Sequence, residues 1–113
     1  MATPLHELTI HEAKELLDSQ IVSSEDLTRA VLDRVKQVEP AVKSFVTVTW
    51  NLALEEAMAF DRNSIDSPQG ALQGIPFQLK DNICTRDILT TCSSNMLSEF
   101  IPPYDATVVE KLK

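Results

Sequence analysis

Cysteine is scarce in this chain. Cys84 and Cys92 are the two cysteines in 113 residues, too few for a disulfide framework. Neither belongs to a C-x-x-C pair or stands at ligand spacing from a histidine, so no zinc site is expected and both are read as reduced thiols. Long apolar runs are missing too. None approaches the roughly 20 residues that cross a bilayer, so no membrane segment is expected. The opening MATPLHELTI has neither the basic region and apolar block of a signal peptide nor the Arg-rich composition of a transit peptide, and a cytoplasmic location follows by default. Basic residues are outnumbered, 10 against 17 acidic, for a net charge of −7. Phosphate binding needs Lys and Arg to displace counterions, so this balance argues against direct contact with nucleic acid; the acidity is read as solvation. No repeat and no low-complexity tract is present.

What remains is an ordinary globular composition, 43% hydrophobic and 24% charged, at the size of about one small domain. Thr9 followed by Glu12 fits a capping box, and Ile10, Ala13, Leu16 and Leu17 recur at helical spacing behind it. Ser23 and Ser24 precede Glu25 and Asp26, which predicts a second N-cap with acidic residues at the positive end of the helix dipole. Leu27, Val31, Val35 and Val38 form its stripe, and Pro40 is expected to stop it. The short link predicts that these two helices pack as a hairpin. SFVTVTW reads as a strand with Phe45 on one face and Val46 and Val48 on the other. NLALEEAMAFDRN returns to helical spacing through Leu52, Ala53, Ala57 and Phe60. SIDSPQGALQG, punctuated by Pro68, Gly70 and Gly74, reads as a loop. IPFQLK reads as a second strand, and DATVVEKLK as the opening of a helix capped by Asp105.

Within GIPFQLKDNICT, alternation points Ile75, Phe77 and Leu79 to one face and Pro76, Gln78 and Lys80 to the other. Lys80 therefore stands at a strand end, away from that core. Two readings are open. One is an exposed lysine. The other is an enclosed amine, made available as a general base by desolvation. Asp81 and Asn82 are expected to fix the turn that follows. Ser93 and Ser94 read as a helix N-cap, since no glycines around them supply the N–H groups of an oxyanion hole. His6 and His11 read as surface histidines, Cys84 as an inert buried thiol, and Trp50 and Tyr104 as packing residues.

GIPFQLKDNICT, LTTCSSNM and IPPYDATVVEKL together resemble the opening of the amidase signature family, and within it the A subunits of the tRNA-dependent amidotransferases. The similarity runs over nearly the whole chain. It implies an α/β class: residues 1–113 would be the N-terminal part of a single amidase domain, a helical hairpin followed by the first strands and helices of a mixed sheet. It also implies a Ser–cis-Ser–Lys triad in which Lys80 is the base. Both serines of such a triad belong to a Gly/Ser-rich segment further along the family's chain, and nothing here resembles it, so the 113 residues alone are expected to lack glutaminase activity. Gln78 departs from the small residue expected on the face of Lys80.

The same resemblance implies a glutamine-hydrolysing subunit that works with B and C subunits, in a heterotrimer converting misacylated Glu-tRNA or Asp-tRNA. This chain itself would bind no cofactor or metal, ATP and magnesium serving the complex. Two other readings stand beside it: a stand-alone amidase of the family acting on a small amide, and a non-catalytic binding module. A sheet cut after its first strands would leave edges and apolar faces uncovered, so the isolated chain is expected to be marginally stable.

Overall fold

Thr9 opens the first helix by the reciprocal bonding that its spacing from Glu12 predicts. The Glu12 N–H donates to the Thr9 hydroxyl at 3.3 Å, and the Thr9 N–H donates to the Glu12 carboxylate at 2.8 Å. Two donors that a helix start leaves orphaned are thereby satisfied. The structure is a computed structural model that describes residues 3–63 and 70–113, so Pro68 of the expected loop lies outside the described residues. Among the described residues there are four α-helices, α1 (Ile10–Asp18), α2 (Ser24–Val42), α3 (Trp50–Asn63) and α4 (Thr107–Leu112), with 3-10 turns at Leu5–Glu7 and Asn95–Leu97.

α1 closes on a Schellman motif. The Ile21 N–H reaches Leu16 O, the Gln20 N–H reaches Leu17 O, and Gln20 takes the left-handed position at φ 57°. α2 starts on the expected capping box, Ser23 with Asp26. Its end differs from expectation. Pro40 lies inside the helix, which continues to Val42 and finishes on Lys43 at φ 52°, with the Lys43 N–H on Glu39 O at 2.8 Å. A proline in the last turn removes one helical bond close to where the ladder ends anyway, so the helix tolerates it there.

Two further expectations are corrected. The hairpin of α1 with α2 does not form; α2 packs instead on α3 and on the Leu5–Glu7 turn. α1 has only nine residues, whereas α3 meets α2 at both of its ends. Near the end of α3, the Asp61 carboxylate accepts the N–H groups of Ser24 and Glu25 at 2.8 and 3.0 Å. At its start, the Trp50 ring lies 5.6 Å from the Lys36 ammonium. The pair is therefore antiparallel, with an anion from one helix at the positive end of the other.

The second correction concerns the mixed sheet, which is absent among the described residues. Neither SFVTVTW nor IPFQLK forms a strand, and Trp50 belongs to α3. Period-two patterning reports which face a side chain prefers. It does not report whether a neighbour is present to take the backbone bonds, and a strand exists only through such pairing.

The chain divides into two compact units, Met1–Lys43 with Thr49–Pro76, and Ser44–Val48 with Phe77–Lys113. In the first, Ala13, Leu27 and Ala57 are buried. Ser24, 3% exposed, donates its hydroxyl to Gly74 O at 2.8 Å. Gly74 has φ 81°, and a Cβ there would stand 2.6 Å from a ring carbon of Phe60. Only glycine fits, on both counts.

In the second unit, residues 84–90 and 100–106 run antiparallel without becoming strands. Ala106 N–H bonds Cys84 O at 2.8 Å, Asp87 N–H bonds Pro102 O at 3.1 Å and Thr90 N–H bonds Phe100 O at 3.0 Å. Val109 and Pro102 are the fully buried apolar residues here. Asp105 does not cap α4, whose N-cap is Ala106 with no side-chain bond. Its carboxylate instead accepts the Arg86 N–H at 2.7 Å on one oxygen and the Lys113 ammonium at 2.8 Å on the other, so both oxygens are taken by donors outside the first turn of the helix.

Candidate active-site segment

Lys80 lies in the second unit, one residue before a polar clamp. Its carbonyl accepts the Ile83 N–H at 3.0 Å, closing the turn that Asp81 and Asn82 are expected to form. The side chain is exposed, and among the described residues its ammonium has no hydrogen-bond or ion-pair partner. Of the two readings left open by the sequence, the exposed lysine is the one seen within these residues.

Asp81 does more than shape its own turn. One carboxylate oxygen accepts the Thr91 N–H at 2.9 Å; the other accepts the Thr91 hydroxyl in a short bond and the Ser93 N–H at 3.4 Å. The Asp81 carbonyl also takes the Cys92 N–H at 2.9 Å. The hydroxyl and N–H of Thr91, helped by the Ser93 N–H, hold the Asp81 carboxyl below the usual carboxylate range. Thr91 is buried, and Cys92 and Ser93 follow it at φ 52° and 55°. Asp81 thus holds a 91–93 loop in a left-handed bend beside the residue that follows Lys80.

Ser94 caps the 3-10 turn, accepting the Met96 N–H at 3.3 Å, whereas Ser93 belongs to the clamp and caps nothing. Cys84 and Cys92 are free thiols. Cys84 is half-buried and pairs with Tyr104, whose phenol pKa is raised chiefly by that hydrogen bond. His6 sits 3.6 Å from Glu7 and His11 3.0 Å from Glu15. Among the described residues no group of three His, Cys, Asp or Glu stands together to hold a metal, and no helix is long and apolar enough to cross a membrane.

A groove of about 400 Å³ along α2 and α3 belongs to the first unit, lined by Arg29, Leu32, Lys36, Trp50 and Leu54 among others. Its cations are already paired within α2, Arg29 with Glu25 at 2.6 Å and Lys36 with Asp33 at 3.7 Å. The groove therefore offers no unpaired cation among the described residues.

A model of the family described as Amidase matches residues 26–113. The chain belongs to the amidase family. Among curated amidase relatives, it is 50% identical over 109 residues to the A subunit of the glutamyl-tRNA(Gln) amidotransferase of Desulfatibacillum aliphaticivorans, and 51% identical over 106 residues to the same-named protein of Desulfosudis oleivorans. The corresponding protein of Pseudomonas aeruginosa, which bears the same name, is 44% identical over 108 residues. These alignments take in 94% or 96% of this chain and 22% of each relative. The amidase segment thus spans about a fifth of the length of those relatives.

Within this amidase segment, Gly-Ile-Pro and Lys-Asp-Asn stand out in the sequence. The partner of Asp81 does not. Thr91, ten residues from Asp81, has no signal of its own beyond belonging to T-T-C-S-S. Asp105 is legible as a polar residue before a helix, but its real contact, the Arg86 N–H nineteen residues away, is not.

Proposed function

We propose that this chain is the N-terminal part of the glutamine-hydrolysing A subunit of a tRNA-dependent amidotransferase, acting in the cytoplasm with B and C subunits. The observation that carries this reading is the identity of about one half to relatives named as A subunits of glutamyl-tRNA(Gln) amidotransferase, running through the Lys80-Asp81-Asn82 segment. The geometry is consistent with it. A lysine that serves as a base must be free of a carboxylate partner, because an opposite charge stabilises its protonated form. The adjacent Asp81 carboxylate is turned to Thr91 and Ser93 instead.

In this reading Lys80 takes a proton, through a bridging serine, from a second serine supplied by the rest of the protein. That serine's oxygen bonds to the side-chain amide carbon of glutamine. The carbon–nitrogen bond then breaks, and the nitrogen leaves as ammonia with the transferred proton. Water hydrolyses the resulting ester. Enclosure by the rest of the protein would supply the desolvation that residues 1–113 do not. ATP and magnesium serve the partner that activates the misacylated tRNA, and this chain contributes no ligands to either.

The test uses the full-length protein with its B and C partners, measuring ammonia released from glutamine and conversion of Glu-tRNA(Gln). Lys80→Ala is expected to lower ammonia release by about 10²- to 10⁴-fold, the usual contribution of a positioned base. Turnover that survives the substitution refutes the role of Lys80. Hydrolysis of small amides without tRNA amidation, and without a stable complex with B and C, favours a stand-alone amidase.

A further inference from the structure

We propose that Asp81 is a positioning residue for Lys80: it fixes the backbone that carries the amine by clamping the Thr91–Ser93 loop, and it is not the amine's ion-pair partner. The inference rests on the reading of Lys80 as a base. Three observations carry it. First, both peptide groups flanking the Asp81 Cα are held, the Lys80 carbonyl by the Ile83 N–H at 3.0 Å and the Asp81 carbonyl by the Cys92 N–H at 2.9 Å. A lysine reaches its target through four rotatable bonds, so the direction of its Cα–Cβ bond decides where those bonds can place the amine.

Second, the Asp81 carboxylate is occupied. Its oxygens take the Thr91 N–H, the Thr91 hydroxyl and the Ser93 N–H, and the Thr91 hydroxyl oxygen in turn accepts the Ser93 N–H at 3.1 Å. A carboxylate placed to neutralise Lys80 would face the ammonium; this one faces a loop. Third, the loop is in a conformation that does not persist unaided. Cys92 and Ser93 are consecutive non-glycine residues at positive φ, and such backbone survives where surrounding bonds over-determine it. The bonds that do so here converge on Asp81 and on Thr91, which is 6% exposed.

The test again uses the full-length protein with its partners. Asp81→Ala is expected to lower kcat for glutamine hydrolysis about 10- to 100-fold, with KM for glutamine held within about threefold, since a displacement of an ångström near a catalytic group costs up to roughly 10². Asp81→Asn should recover most of that loss and leave the pH–rate profile in place, because its amide oxygen can still accept the Thr91 N–H. Thr91→Val, which keeps the shape and removes the hydroxyl, should lower kcat roughly fivefold, the worth of one hydrogen bond. It stands in if Asp81→Ala does not fold.

An Asp81→Asn variant as impaired as Asp81→Ala, with a displaced pH profile, would show direct electrostatic action on the amine and overturn the proposal. So would unchanged kcat in Asp81→Ala, or in Thr91→Val, while Lys80→Ala abolishes turnover. Turnover that survives Lys80→Ala removes the base itself, and the proposal falls with it.

Discussion

The two units of this chain hold their shape by different means. The first is helical: α1 and α2 begin on bonds between residues three apart, Thr9 with Glu12 and Ser23 with Asp26, and α2 also on the Asp61 carboxylate of α3. The second has one α-helix of six residues among the described residues; beside the backbone bonds between residues 84–90 and 100–106 it relies on carboxylates that reach across the chain, Asp81 to Thr91 and Asp105 to Arg86. Where regular structure satisfies the backbone, side chains are free to pack. Where it does not, polar side chains must do the satisfying, and their ionisation adds to the stability of the backbone they hold.

That contrast can be sharpened by substitution, the largest effect coming where the helical unit relies on a single irregular residue. Gly74→Ala forces a methyl to 2.6 Å from the Phe60 ring in a left-handed backbone. It should cost about 3 kcal/mol, combining overpacking with backbone strain. A urea midpoint in the full-length protein that does not fall would mean that Phe60 moves aside freely. Ser24→Ala leaves the half-buried Gly74 carbonyl without the Ser24 hydroxyl and should cost roughly 1 kcal/mol in the same titration.

Acid separates the units by position along the chain. The Asp81 and Asp105 carboxyls are both held below their ordinary values, Asp81 by Thr91 and Asp105 by Lys113 and the Arg86 N–H. A depressed folded pKa contributes stability that is fully present above the unfolded value, about 3.9, and lost as the pH falls through the lower folded value. Protection of the Thr91 and Arg86 amides against hydrogen exchange should therefore decline below about pH 4. Asp26 and Glu12 are lowered in the same direction by Ser23 and Thr9, but their protonation frays a helix start and leaves the α2–α3 contact in place. Loss of α3 protection in step with Thr91 would break the distinction. The smallest effect is expected on the exposed face of α2, where Glu25→Gln removes the pair with Arg29. It should change stability by less than about 0.5 kcal/mol, and a larger shift would show that Arg29 depends on that pair to hold its place in the groove.

Legibility followed the same division. The capping boxes, the stripes of α1 and α2 and most of α3 were readable because the partners lie within one turn of each other. Pro40 was misread as a stop because a proline's effect depends on how many bonds remain after it. The expected strands failed because their pattern states a preference that only a neighbour can fulfil. Lys80 was legible as an unusual residue, and the resemblance to amidases gave it a role, but its surroundings were not. The polar partner of Asp81 lies ten residues away, beyond any periodicity.

By itself, then, the amino-acid order determined where α1 and α2 begin and which family the chain joins, since both are written in residues close together in the chain. Tertiary structure alone decided that α2 pairs with α3, that Asp61 sits at the start of α2, and that Asp81 turns toward Thr91 and away from the amine beside it. The physical reason is range. A hydrogen bond acts over about 3 Å, and only folding brings residues distant in the chain within that reach.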